Sequence, residues 1–151
     1  MQMELSRDEY MSLALEEARE AYKTGEVPVG CVIVKDGAVI GRGYNRCEMS
    51  SDPTAHAEMI AIKEACSKLG DWRLDGCSLY VTLEPCPMCA GAIINSRIEE
   101  VIFGAKDAQK GSVGSIIDLF CENFGRKIRV FPGVLENESK ALLKSFFGEL
   151  R

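Results

Sequence analysis

The stretch from Ser78 to Gly104 restricts the fold of this chain more than any other part of it. Ser78 to Leu83 reads as a strand, a helical pattern announced by Pro85 runs from Cys86 to about Ser96, and Glu100 to Gly104 reads as a second strand. Two strands joined through one helix in so few residues lie parallel. A tight turn cannot return a chain to a parallel neighbour, and the crossover is right-handed. The helix then covers one face of a sheet, so the chain is α/β.

The flanking segments extend that unit. Ser6 followed by Glu9 is a capping box, after which Tyr10, Leu13, Ala14, Ala18, Ala21 and Tyr22 recur at helical spacing until Gly25. Gly30 to Lys35 and Ala38 to Tyr44 are β runs joined by Asp36-Gly37, a favourable two-residue hairpin turn. A polar loop from Asn45 to Asp52 leads to Pro53-Thr54, which open a second helix running to about Leu69 and stopped by Gly70. Later, Ala105 to Ser115 reads as a surface loop, Ile116 to Cys121 as a short helix, Lys127 to Phe131 as a fifth strand and Glu136 to Arg151 as a terminal amphipathic helix. The expected architecture is a mixed five-stranded sheet, hairpin first, with helices on both faces. A chain of 151 residues suits one domain over 1–151. At that size roughly 68–70% of the unfolded surface is buried, enough for one core without disulfide staples.

Composition narrows the function classes. With 46% hydrophobic and 27% charged residues the chain is neither disordered nor collagen-like. No apolar run approaches the ~20 residues of a membrane span. The acidic first twenty residues lack the basic start and apolar stretch of a signal peptide, and seven cysteines, an odd number, argue against a disulfide framework. The expected compartment is the cytoplasm. A net charge of -5 favours a small-molecule enzyme over a nucleic-acid binder. The charge is uneven, however. Residues 97–151 hold nine Lys+Arg against eight Asp+Glu, with Lys106, Lys110, Arg126, Lys127, Arg129, Lys140, Lys144 and Arg151 available for phosphate contacts.

Two short motifs carry chemistry: His56-Ala57-Glu58 at the second helix, and Pro85-Cys86-Pro87-Met88-Cys89 at the third. Cys86 and Cys89 lie three apart at a helical start, so both sulfurs fall on one side of the first turn, where the partial positive charge of the helix end favours thiolates. His56 adds a nitrogen ligand. Two sulfurs and one nitrogen suit Zn²⁺, one per chain, and three protein ligands leave a fourth tetrahedral position for water, whose pKa falls to ~7 on zinc. Residues two apart on a helix point to nearly opposite sides, so His56 and Glu58 share a site only if it lies end-on, beyond the helix N-terminus. The same placement suits the cysteines. Two helix ends thus converge on one metal, with Glu58 free to move protons. A redox Cys-x-x-Cys would account for neither the sole histidine nor the glutamate beside it. A closed Cys₄ site lacks its second pair, because Cys31, Cys47, Cys66, Cys77 and Cys121 are scattered.

His-x-Glu followed by Pro-Cys-x-x-Cys is the signature of the zinc nucleobase deaminases. Beyond it, the chain resembles the tRNA-specific adenosine deaminase family of bacteria, within the cytidine/deoxycytidylate deaminase superfamily. The matching stretches include Val27 to Gly30, Asn45, Asp52 to Glu58, Leu79 to Cys86, Cys89 to Ala92, Ser96 to Ile98, Phe103 to Asp107, Gly114-Ser115, Gly133 to Leu135, Leu142-Leu143 and Phe146-Phe147. The resemblance implies a three-layer α/β/α, cytidine deaminase-like fold. It also implies hydrolytic conversion of adenosine to inosine at the wobble position of tRNA, zinc on His56, Cys86 and Cys89, Glu58 as the proton carrier, and a homodimer acting on the tRNA anticodon loop. Backbone N–H groups near Glu84 to Cys86 are candidates to hold the oxygen that forms at the reacting carbon. Asn45 matches a residue contacting the flipped nucleotide, Val29 and Pro28 an apolar wall against the base, and Lys106 and Asp107 the part approaching the anticodon loop.

Two segments depart from the family. Arg46 to Ser51 follows no strong pattern, and Phe120 to Arg129 lacks the histidine often found there, leaving Arg126, Lys127 and Arg129 as candidates for its role. A free-base or nucleoside deaminase acting on guanine or cytosine shares the His56 to Cys89 core and is the alternative activity. It has no need of the Phe103 to Ser115 segment or the late cations. A zinc-stabilised binding module is the non-enzymatic alternative, against which Glu58 and the open fourth position argue.

Overall fold

The computed structural model describes residues 4–122, 124 and 126–149. Helix α1 spans Arg7–Lys23 and is followed by the hairpin of β1 (Gly30–Lys35) and β2 (Ala38–Tyr44). A short helix α2 (Cys47–Ser50) precedes α3 (Ala57–Leu69), β3 (Cys77–Leu83), α4 (Pro87–Asn95) and β4 (Glu100–Ala105). One 3₁₀ turn at Leu119–Cys121, β5 (Arg129–Phe131) and α5 (Glu136–Glu149) complete the order. The outermost residues of the expected terminal helix, Leu150 and Arg151, lie outside the described residues.

The strands form one sheet in the order β2-β1-β3-β4-β5. β1 pairs antiparallel with both β2 and β3, whereas β3, β4 and β5 run parallel. The mixed sheet and the crossover through α4 are those the sequence calls for. At the hairpin, Asp36 and Gly37 both take positive φ, 50° and 79°, as a primed turn matched to strand twist requires. Side chains alternate cleanly along the strands. Cys31, Ile33, Leu79, Val81, Val101 and Phe103 enter one core beneath α3 and α4, and Val32, Val34, Tyr80 and Ile102 enter the other beneath α1.

α3 approaches the sheet closely because the strand beneath it offers no side chains at two positions. A Cβ on Gly43 would sit 2.4 Å from the Ala57 carbonyl oxygen, and one on Gly41 2.3 Å from that of Ala61. Small residues on the helix itself, Ala57, Ala61 and Ala65, complete the contact, and all three are buried.

Several boundaries differ from the sequence reading, each for a local reason. α3 begins at Ala57 rather than at Pro53-Thr54. Asp52 Oδ1 accepts from Thr54 N–H (2.8 Å) and from the Thr54 hydroxyl (2.7 Å), and His56 N–H donates to Thr54 O (2.8 Å), which winds these residues into turns. The expected polar loop contains α2. Buried Glu26 accepts at its N-terminus from Glu48 N–H (3.0 Å) and Met49 N–H (2.7 Å). That is a cap supplied from another element. β5 starts at Arg129, two residues later than expected, since only Arg129 to Phe131 pair with β4. Among the described residues no helix is long and apolar enough to cross a membrane.

Candidate metal centre and substrate pocket

The site gathers where the parallel strands end. β3 and β4 finish at Leu83 and Ala105, and the antiparallel hairpin brings the start of β1 and the end of β2 to the same edge through the Gly30↔Tyr44 pair. The carboxyl ends of strands beside a change of strand direction are where open α/β sheets place their ligands.

His56 is the N-cap of α3 and Cys86 the N-cap of α4. Neither side chain makes a capping hydrogen bond, and their extended backbones (ψ 154° and 175°) turn both toward the space between the two helix ends. His56 Nδ1 stands 3.5 Å from Cys86 Sγ and 3.5 Å from Cys89 Sγ, and the three ligand atoms lie within 4.8 Å of one another. A tetrahedral Zn²⁺ with Zn–S of 2.3 Å and Zn–N of 2.0–2.1 Å sets its sulfur and nitrogen ligands about 3.6 Å apart, so these residues fit that ion. Hydrogen bonding from Cys89, together with His56, lowers the Cys86 thiol to about 4. Cys89, which shares its proton with Cys86 and is wholly buried beside Glu58, is pushed up, and a divalent cation is what would release that proton.

Glu58, in the first turn of α3, lines the same cavity as His56 and Cys86, which is the end-on arrangement required by their two-residue spacing. It is 3% exposed, and burial raises its carboxyl to about 7, against the opposing pull of its own backbone N–H and of His56. A carboxyl near neutrality is suited both to take and to give a proton.

The cavity, about 170 Å³, is lined by Val27, Val29, Asn45, Ala57, Leu83, Glu84, Asp107 and Lys110 besides the centre itself. Val29, Asn45 and Asp107 therefore meet at one place, as the sequence reading has them. Pro28 and Lys106 stand outside the wall. Val29 N–H donates to Val27 O (2.9 Å), closing a tight turn around Pro28 that presents its two valine neighbours to the cavity and buries the proline elsewhere. Lys106 is exposed beyond the last residue of β4. The nearby cation at the cavity is Lys110, returned by a turn in which Asp107 Oδ1 accepts from Gln109 N–H (3.0 Å) and Lys110 N–H (3.2 Å). Asn45 is held lightly, Nδ2 donating to Val27 O and Oδ1 accepting from Cys47 N–H, both at 3.4 Å. The Glu84 N–H donates to Ala105 O (2.8 Å) and is not available to hold an oxygen in the pocket.

Arg126, Lys127 and Arg129 lie elsewhere. They precede or open β5, at the end of the sheet opposite the pocket, and Arg126 and Arg129 are paired with Asp75 and Glu100 at 3.3 and 3.1 Å. β4 separates the two ends by six residues, about 17–20 Å at ~3.3 Å per residue.

A five-stranded α/β/α layer with a His-Cys-Cys centre and a buried glutamate between two helix ends defines a zinc-dependent deaminase domain. Residues 5–105 match the sequence profile of the cytidine and deoxycytidylate deaminase zinc-binding region. The chain is 50% identical over 149 residues to the tRNA-specific adenosine deaminase of Bacillus subtilis (strain 168), covering 97% of this chain and 92% of that one. A solved structure from work on A-to-I editing by tRNA:A34 deaminases superimposes with a TM-score of 0.86 at 46% identity, over 89% of this chain and 99% of that one. The guanine deaminase of Bacillus subtilis gives 0.65 at 35% identity, over 80% and 88%. The chain belongs to the cytidine and deoxycytidylate deaminase family, in its tRNA-specific adenosine deaminase branch.

Proposed function

We propose that this chain hydrolyses adenosine to inosine, releasing ammonia, at the wobble position of tRNA, with His56, Cys86 and Cys89 holding one zinc ion and Glu58 carrying protons. The observation behind the reading is the meeting, in one cavity, of the three-ligand cluster, a buried carboxyl and the segment around Asp107. A zinc ion held by these three residues would act as a Lewis acid and lower the pKa of water to about 7. Glu58, buried at the same site, would take one proton from the attacking water and deliver it to adenine N1, then carry the second, from the hydroxyl formed at C6, to the departing amine. Val27, Val29 and Leu83 offer an apolar wall to the base, and Asn45 a side chain that both donates and accepts. Lys110 meets a flanking phosphate. An unpaired anticodon base enters at less cost than a paired one.

A single deaminase domain over 1–151, acting in the cytoplasm as a homodimer, belongs to the same proposal. Support comes from seven unpaired thiols and from Ile116, Ile117 and Phe124, apolar side chains left 47–58% exposed in one segment. Sedimentation at twice the chain mass is the expected result. The activity is tested with an anticodon stem-loop bearing adenosine at the wobble position, beside free adenosine, guanine and cytosine. Inosine in the stem-loop is expected. Turnover of guanine alone transfers the chain to the reading favoured by its guanine deaminase likeness.

A further inference from the structure

The segment from Asp107 to Ser115 forms the side of the pocket that holds Asp107 and Lys110, yet it has almost no regular structure to satisfy its backbone. Backbone N–H groups require partners, and here a single side chain accepts from three of them. Glu84, directly after β3, is 2% exposed. Its Oε1 accepts from Asp107 N–H (3.1 Å) and from the Ser115 hydroxyl, and its Oε2 accepts from Val113 N–H (3.0 Å) and Ser115 N–H (3.1 Å). The two oxygens thus reach both ends of the segment and its middle. Ser112 N–H adds a bond to the Pro85 carbonyl (2.9 Å), and Ser112 and Val113 are buried in consequence. Gly111 passes so near that a Cβ there would lie 2.5 Å from both Glu84 Cδ and Oε1 and 2.5 Å from the Asp107 carbonyl oxygen.

We propose that Glu84 is a positioning residue: its buried carboxylate fixes the 107–115 segment, and through it Asp107 and Lys110, at the pocket for a nucleotide held within an RNA strand. This rests on the tRNA-deaminase reading. Glu84 borders the cavity but supplies no atom to the metal-ligand cluster. It acts through the segment, so its loss is felt where binding of the strand is measured. An error of about 1 Å in such placement costs up to about 100-fold.

Glu84→Gln is the discriminating variant, because an amide keeps the shape but offers one acceptor oxygen and turns an NH₂ toward N–H donors. Gly111→Ala displaces the segment from the other side and leaves β3 and its neighbouring cysteine untouched. Stem-loop kinetics, zinc content and amide hydrogen exchange of the 105–119 region are measured for wild type and both variants. We expect wild-type zinc, faster exchange confined to that region, and a stem-loop KM raised about tenfold or more with kcat within about threefold. Unchanged exchange, or an unchanged stem-loop KM, in either folded variant overturns the proposal. If Glu84→Gln loses zinc or fails to fold, Gly111→Ala decides by the same two readouts. A wild-type enzyme that turns over only a free base overturns the tRNA reading and the substrate half of this proposal, while the exchange data still decide whether Glu84 fixes the segment.

Discussion

His56 and Cys86 occupy positions where other proteins place serine or aspartate, and what they give up as caps they offer to a metal. Glu58 lines the same cavity but lies outside the cluster of three ligand atoms, which favours a proton carrier over a ligand. Glu58→Ala is therefore expected to leave zinc near one per chain while turnover falls by about 10²–10⁴-fold, the usual contribution of a positioned acid–base group. Metal analysis and single-turnover deamination check it, and zinc loss in this variant would reassign Glu58 as a ligand. With Cys89, these residues were legible in the sequence because the chemistry needs them at fixed offsets from helix starts. Glu84 was not. Its partners lie 23, 29 and 31 residues away, and a carboxylate that accepts N–H groups from a loop leaves no local pattern. Lys110 was visible only as one cation among several, since its place at the cavity depends on a turn formed around Asp107.

Among the elements, α3 depends on what β2 lacks. Gly43→Ala would drive a methyl group into the Ala57 carbonyl, in the first helical residue after His56. We expect a loss of about 1–3 kcal/mol, the cost of overpacking a tight contact, together with weaker zinc retention against a chelator. Denaturant midpoints and zinc release rates measure the two, and a variant with wild-type values in both would show that α3 tolerates displacement. The main strands and helices were readable from period and punctuation alone. The misplaced boundaries share a cause. The start of α3 is set by Asp52 and Thr54 bonding to one another, and α2 exists because Glu26, from beyond the end of α1, accepts its N–H groups. Side-chain bonds to backbone override propensity at element ends, and the longer-range ones cannot be read from a window.

At the scale of the molecule, the sheet has a working end and a quiet end. Arg126, Lys127 and Arg129 are at the quiet end, two of them neutralised by acids, so as a cluster they are poorly placed to serve the pocket of their own chain. Replacing all three by alanine is expected to leave the stem-loop KM within about threefold of wild type, since exposed ion pairs contribute only about 0–1 kcal/mol. A larger rise, with a reduced salt dependence, would place RNA phosphates there. Net charge and residue type marked these cations as candidates, and only strand direction distinguishes one end of a sheet from the other. That arrangement also bears on biosynthesis. The histidine and the cysteine pair come from helices on either side of β3 in the chain, 30 and 33 residues apart. A ribosome-bound chain that has not yet emerged through Cys89 has fragments of a chelator but no chelate. Metal capture then waits until β3 and the first turn of α4 have been made, whatever the state of the strands that follow.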